Sequence, residues 1–318
     1  DDAVVITSSY PAPQQSAAKT VRAALDASMQ SGRLEAALSA RRDGEVVIVV
    51  SDISRPIPYE KFLGELLGDI ETAGVPPEDI LILIATGMHR PSTPDEHVQI
   101  LGDEIAARYR VRDHRPDLDD VIPVNGKSWS GNDIVLNKAF VNAGFRIITG
   151  LVEPHFMAGF SGGRKAVCPG LASLETVQQF HGYEFLANPN ARIASLDENP
   201  CHLEALSVAK TIGVDFSLNV VLDHDRNIVH ATAGELNAAH RQACDFVQAS
   251  ACPVVHEPFD VVITCSAGAP LDTTFYQCVK GVVSCLPAVK PGGHIISIGG
   301  CRQGVGSDSY RDTMLKYA

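Results

Sequence analysis

FRIITGLVEPHFMAGFSGGRKAVCPG, residues 145–170, decides how the rest of the chain is read. Its apolar opening, Phe145–Leu151, has the character of a buried strand. Gly159, Gly162 and Gly163 follow, and they allow backbone conformations and close approaches that other residues resist. A turn of this kind aims several N–H donors in one direction, which suits an anion, most often a phosphate. With His155 before the turn and Lys165 after it, the stretch is the candidate active-site segment.

The obvious comparison is the Walker A loop, which needs Gly directly before its Lys and Ser or Thr directly after, the hydroxyl carrying Mg²⁺. Arg164 and Ala166 stand in those places, so NTP hydrolysis loses its support. What remains is a lysine near a phosphate-bearing ligand, as counter-ion or, with its pKa lowered, as a nucleophile for covalent cofactor attachment. The plainer alternative is a strand-turn-helix ending in a solvated Lys-Arg pair.

Outward from this segment, apolar runs at 45–50, 80–85 and 261–265 alternate with helix-like segments at 19–30 and 60–74. That alternation argues for parallel sheets in an α/β fold. At 318 residues the chain predicts two domains and is long enough for a buried catalytic cleft. With 26 Lys plus Arg against 38 Asp plus Glu, the formal charge is -12 and no basic run follows a nucleic-acid backbone, which argues against DNA or RNA as partner. No apolar stretch approaches the roughly 20 residues of a membrane span. The chain starts at Asp1 without Met or a signal-like segment, so a natural N-terminus is expected upstream. Eight cysteines with no CxxC pair predict reduced, mostly buried thiols and a cytoplasmic protein.

In open α/β sheets ligands sit at the carboxyl ends of strands. The strand at 46–50 empties into SDISRP, placing Asp52 and Arg55 at such an end; the plainer reading makes Asp52 a helix cap. The strand at 80–85 runs into ATGMHRP and delivers Thr86, His89 and Arg90. With His155, two histidines converge from different strands, a pattern suited to paired acid/base groups. Residues 90–140 read as helix and loops, where His97, His114 and Trp129 have no evident partner. Residues 173–185 look helical, with Leu174, Val177 and Phe180 on one face and His181 near the end. Cys201 and His202 are adjacent, not a chelating spacing, and read as structural. Residues 212–234 alternate like a hairpin, a domain break falls near 253–258, and a strand begins at Asp260. Gln277 and Lys280 then share a helix face, and KPGG leads to a strand at 295–298.

These residues resemble the lactate racemase family, whose members carry a nickel-pincer nucleotide. The resemblance rests on SDISRP, ATGMHRP, EPHFMAGFSGGRKAVCPG, QFHG at 179–182, GAPLDTTFYQCVKG and KPGG, in the expected order across 46–304. It implies two Rossmann-like α/β domains with the active site in the cleft between them. The first is expected at 1–254 with the cofactor loop, and 255–318 as the start of an incomplete second. By the same resemblance Lys165 forms a thioamide with the cofactor, a pyridinium mononucleotide whose carbon and two sulfurs bind nickel, and His181 completes the coordination. Nickel(II) with soft sulfur and an imidazole favours a square-planar site. His89 and His155 become the acid/base pair; Arg55, Gln277 and Lys280 anchor substrate; Asp52, Ser161, Gly162 and Gly163 join Lys165 in holding the cofactor.

The reaction so implied is racemisation or epimerisation at C2 of a small 2-hydroxy acid. A histidine takes the hydroxyl proton while hydride moves to the pincer carbon and returns on the other face. Maturation enzymes are implied as partners, and an unmatured sample is expected to lack the cofactor. Against this stands a non-catalytic two-domain protein that closes on a phosphate or carboxylate, which leaves the histidines idle.

Overall fold

The computed structural model describes residues 3–117, 120–269 and 271–317, with the backbone alone at Ser309. Pro270 of the GAPLDTTFYQCVKG motif lies outside the described residues. The chain divides into two compact units, residues 1–252 and 253–318.

Unit 1 is built on a six-stranded sheet. Its strands are β1 (Val46–Ser51), β2 (Ile80–Ala85), β3 (Arg110–Asp113), β6 (Phe145–Leu151), β9 (Phe216–Leu222) and β10 (Ile228–Gly234), in the spatial order β10-β9-β6-β1-β2-β3. Outside it are two small antiparallel pairs, β4 (Val121–Lys127) with β5 (Asp133–Asn137) and β7 (Pro154–His155) with β8 (Gly159–Phe160). β1 pairs in parallel with β2 and β6, β2 with β3, and β6 with β9; β10 returns antiparallel beside β9. Counted along the chain this is the doubly wound order 3-2-1-4-5-6, which reverses direction between β1 and β6. The antiparallel edge makes the sheet mixed, a correction to the all-parallel expectation; the predicted hairpin at 212–234 supplies it.

The central strands are apolar throughout because both faces of the sheet are covered. Val46, Ile48 and Val50 pack into one cluster with the helices Ala17–Asp26 and Leu63–Thr72, while Val47 and Val49 pack into another with residues from β5 and from 157–212. Each such buried aliphatic side chain contributes about 1.5–3 kcal/mol. The segment 90–140, expected as helix and loops, also holds three strands. β3 escaped notice because it is a charged edge strand, RVRD, with alternate residues exposed. Before it, Thr93 and Glu96 close a capping box on the helix Pro94–Leu101.

The helix expected over 173–185 stops at Phe180, where His181 caps it; Gly182 intervenes before a short helix, Tyr183–Leu186. Its buried face is Thr176, Val177 and Phe180, and Leu174 is exposed instead. Unit 2 holds two parallel strands, β11 (Phe259–Cys265) and β12 (Val289–Ile298), and the helices Phe275–Cys285 and Asp308–Tyr317. This is α/β; two paired strands do not establish a second Rossmann-like domain. Among the described residues no helix is long and apolar enough to cross a membrane.

Candidate active site

Three adjacent strands, β2, β1 and β6, end on the same edge of the sheet, and their next residues carry the polar groups. After β1 the chain turns at Asp52, whose carbonyl accepts from Arg55 N–H at 3.0 Å. The Asp52 side chain is buried, with Oδ1 accepting from Ser54 Oγ at 2.5 Å and Oδ2 lying 2.6 Å from His89 Nδ1. Burial alone would raise this carboxyl, but hydrogen bonds from His89 and Ser54 and the nearby Arg55 charge outweigh it and hold it below its ordinary value. A carboxylate accepts only, so His89 Nδ1 carries the proton and Nε2 keeps its lone pair. His89 itself is exposed. Its loop is tied to the end of the glycine segment by Gly87 N–H donating to Gly170 O at 3.0 Å.

After β6, β7 and β8 form a tight hairpin that presents His155. Its Nδ1 accepts from the N–H groups of Met157, at 3.4 Å, and Ala158, at 3.2 Å, which puts the proton of the neutral ring on Nε2. Nε2 lies 2.8 Å from Lys165 Nζ. Burial, then the charges of Arg55 and Arg164, hold Lys165 well below the usual lysine range. His181 donates from Nδ1 to Val177 O at 2.9 Å, leaving Nε2 as the outward lone pair. Burial lowers its pKa, the Val177 bond opposes, and the Lys165 charge lowers it further. The three groups of this face are thus fixed in single tautomers by their neighbours rather than by one another.

The glycine turn works differently from expectation. Gly162 (φ +73) and Gly163 (φ +51) are needed for packing against the protein itself: a Cβ would meet Leu151 O at 2.9 Å in the first case and the His240 ring at 2.6 Å in the second. Ser161 N–H donates to Glu153 O at 2.9 Å and Gly163 N–H to Asn219 Oδ1 at 2.9 Å. Two of the donors expected to face a phosphate are therefore engaged within the fold. The solvated Lys-Arg alternative fails as well. Arg164 is fully buried, donating to Ala158 O at 2.7 Å, with Nη1 2.8 Å from His240 Nε2, which in turn lies 2.8 Å from Ser161 O; burial pushes Arg164 down to about 10.

The supports behind the turn were missed in the sequence. Asn219 had a readable signal, since an amide inside the apolar run FSLNVVL must find a buried partner. His240 had none, standing on a helix face until the fold brings it under Arg164. Cys201 and His202 are buried as expected, His202 stacked on His240 with centroids 6.3 Å apart. His97 and His114 prove to have partners, Asp113 Oδ2 at 2.5 Å and Ala172 O at 3.0 Å, and the Trp129 N–H donates to Ser207 Oγ at 2.7 Å. Of the remaining candidates, Gln277 is half-buried and Lys280 exposed on the unit 2 helix Phe275–Cys285.

Fold and site define a doubly wound α/β protein in which one imidazole pairs with a buried carboxylate after β2 and β1 and another meets a buried lysine after β6. Residues 1–194 match the lactate racemase N-terminal domain and residues 254–318 the lactate racemase C-terminal domain. The chain is 38% identical over 293 residues to a lactate racemase of Lactiplantibacillus plantarum, covering 92% of this chain and 68% of that protein. It is 37% identical over 290 residues to one of Thermoanaerobacterium thermosaccharolyticum, covering 91% and 67%. The solved lactate racemase apoprotein of T. thermosaccharolyticum superposes with a TM-score of 0.87 at 33% identity over 96% of this chain and 76% of that one. A Thermotoga maritima crystal structure shares the fold, with a TM-score of 0.66 at 18% identity over 97% of this chain and 80% of that one. The chain belongs to the lactate racemase family.

Proposed function

We propose that this protein racemises or epimerises a small 2-hydroxy acid, lactate first, using a nickel-pincer nucleotide attached to Lys165. The observation that carries the reading is the 2.8 Å contact between Lys165 Nζ and His155 Nε2, a buried lysine whose pKa is lowered beside a candidate acid/base group. The names of the relatives support the substrate class.

The residues present suit the cofactor. The lowered pKa of Lys165 favours the neutral amine that acylation requires, and His181 keeps Nε2 for a metal because Val177 O holds Nδ1–H. Among the described residues no three of His, Cys, Asp or Glu are grouped to hold a metal ion; His181 would be the protein's ligand to nickel. When bound, the group supplies an electrophilic carbon that takes the C2 hydrogen with its electron pair and gives it back.

The chain's own residues handle protons and position. His89, with Nδ1–H on Asp52, takes or gives the hydroxyl proton at Nε2; His155, with Nδ1 occupied by two backbone N–H groups, exchanges its proton at Nε2 likewise, as base when neutral and as acid once it has become imidazolium. Each ring serves one hand of substrate, and the two exchange roles when the hand is reversed. Asp52, assigned to the cofactor by resemblance, serves here as the group that orients His89. Arg55, whose charge reaches both Asp52 and Lys165, holds the carboxylate. Gln277 and Lys280 share that task on the strength of the resemblance. Ser161, Gly162 and Gly163 act for the cofactor by fixing the turn that aims Lys165.

The test is one lactate enantiomer incubated in deuterated water with protein matured with nickel. The expected outcome is the opposite enantiomer with its C2 hydrogen retained, and an intact mass showing an adduct on Lys165. Rapid deuterium incorporation at C2, or turnover without an adduct, refutes the reading.

A further inference from the structure

Unit 2 carries a thiol pair that the racemase reading does not use. Cys278 Sγ lies 3.7 Å from Cys301 Sγ, and both are free thiols. Cys278 is buried in the first turn of the helix Phe275–Cys285; Cys301 is half-buried in the loop after β12.

The backbone holds the two sulfurs together. Cys301 N–H donates to Asp272 O at 2.9 Å, Gly300 N–H to Asp272 Oδ2 at 2.7 Å, and Gln303 N–H to Thr273 O at 2.8 Å. In return Phe275 N–H donates to Gly304 O and Tyr276 N–H to Val305 O, each at 3.0 Å. Cys301 sits at φ +41, a left-handed conformation that a non-glycine residue keeps only where its surroundings impose it. Gly299 leaves the space, since a Cβ there would run into Cys278 Sγ. Among the described residues no other pair of sulfurs is in comparable contact. To bond, these must approach from 3.7 Å to about 2.05 Å.

We infer that Cys278 and Cys301 form an oxidisable dithiol, a site of reversible disulfide formation with glutathione disulfide as oxidant. The half-buried Cys301 thiolate attacks one sulfur of glutathione disulfide, forming a mixed disulfide and releasing one glutathione thiolate. The Cys278 thiolate then attacks the Cys301 sulfur, forming the internal bond and expelling the second glutathione. The two thiol protons end on the two glutathiones; the protein pair loses two electrons and the oxidant gains them. Burial and the neighbouring Cys301 raise the Cys278 thiol, which sets this order of events. The bond ties the start of the helix bearing Gln277 and Lys280 to the loop at 299–305.

The experiment takes the full reduced chain, equilibrates it with glutathione disulfide, blocks remaining thiols and maps the peptides by mass spectrometry. The expected result is a Cys278–Cys301 cross-link with a mass lower by two hydrogens, reversed by dithiothreitol, and slower amide exchange across 299–305. Cys278→Ser should instead retain glutathione on Cys301, and Cys265→Ser should leave the cross-link intact. A wild-type protein that ends with glutathione on Cys301 and no internal link, or with a dominant link through Cys265, overturns the inference; neither result bears on racemase activity.

Discussion

Hydrogen bonding to the far nitrogen decides what each imidazole offers. Because Asp52 holds His89 Nδ1–H, Asp52→Asn removes the acceptor that selects the tautomer, and kcat should fall by about 10² or more while cofactor retention persists. His89→Ala and His155→Ala should each cost about 10² to 10⁴ in rate, read by single-enantiomer kinetics in both directions. His181→Ala is expected to fail differently, with nickel lost in metal analysis. Asp52 also predicts a pH effect on stability. Its carboxyl is depressed in the folded chain, so its contribution is complete above the ordinary carboxylate pKa of about 4 and is lost as pH falls from there through the folded value. Urea titrations from pH 7 to 3 should show a shallower acid loss in Asp52→Asn than in wild type.

For the element, the turn between β8 and Lys165 is a packed joint, not an open loop. Gly163→Ala places a methyl into the His240 ring at a left-handed φ, and should cost about 1–3 kcal/mol of stability, visible as a lower Tm. Arg164→Ala leaves Ala158 O without its donor and empties a fully buried site, so a loss of about 3 kcal/mol is expected in denaturant titration. If Arg164→Ala melts like wild type, the buried guanidinium is not the brace of this turn. The same brace places a second cation beside Lys165, so the joint both aims the lysine and, together with burial, lowers its pKa.

In the whole molecule the core is unevenly shared. All three hydrophobic clusters lie within residues 1–252, and the described part of unit 2 fully buries little beyond Cys278 and Gly281. Residues 1–252 alone should therefore unfold cooperatively with a urea midpoint close to that of the full chain, whereas 253–318 alone should show no sharp transition. Circular dichroism of the two fragments checks this, and a cooperative 253–318 would contradict it.

The sequence by itself determined the α/β class, the central strands and the positions of Asp52, His89, His155 and Lys165 at strand ends, because unbroken apolar runs and local motifs are readable without long-range contacts. It also carried the family, which the comparisons bear out. It could not determine the β3 edge strand, which lacks an apolar pattern, nor the antiparallel place of β10 in the sheet. Tertiary structure alone decided that Arg164 is buried, that Gly163 packs on His240 and donates to Asn219, and which ring nitrogen of His89, His155 and His181 is taken by a neighbour. Those are relations between residues as much as 76 positions apart, as Arg164 and His240 are. Burial and hydrogen-bond partners are properties of neighbours in space, and a sequence motif specifies only neighbours along the chain.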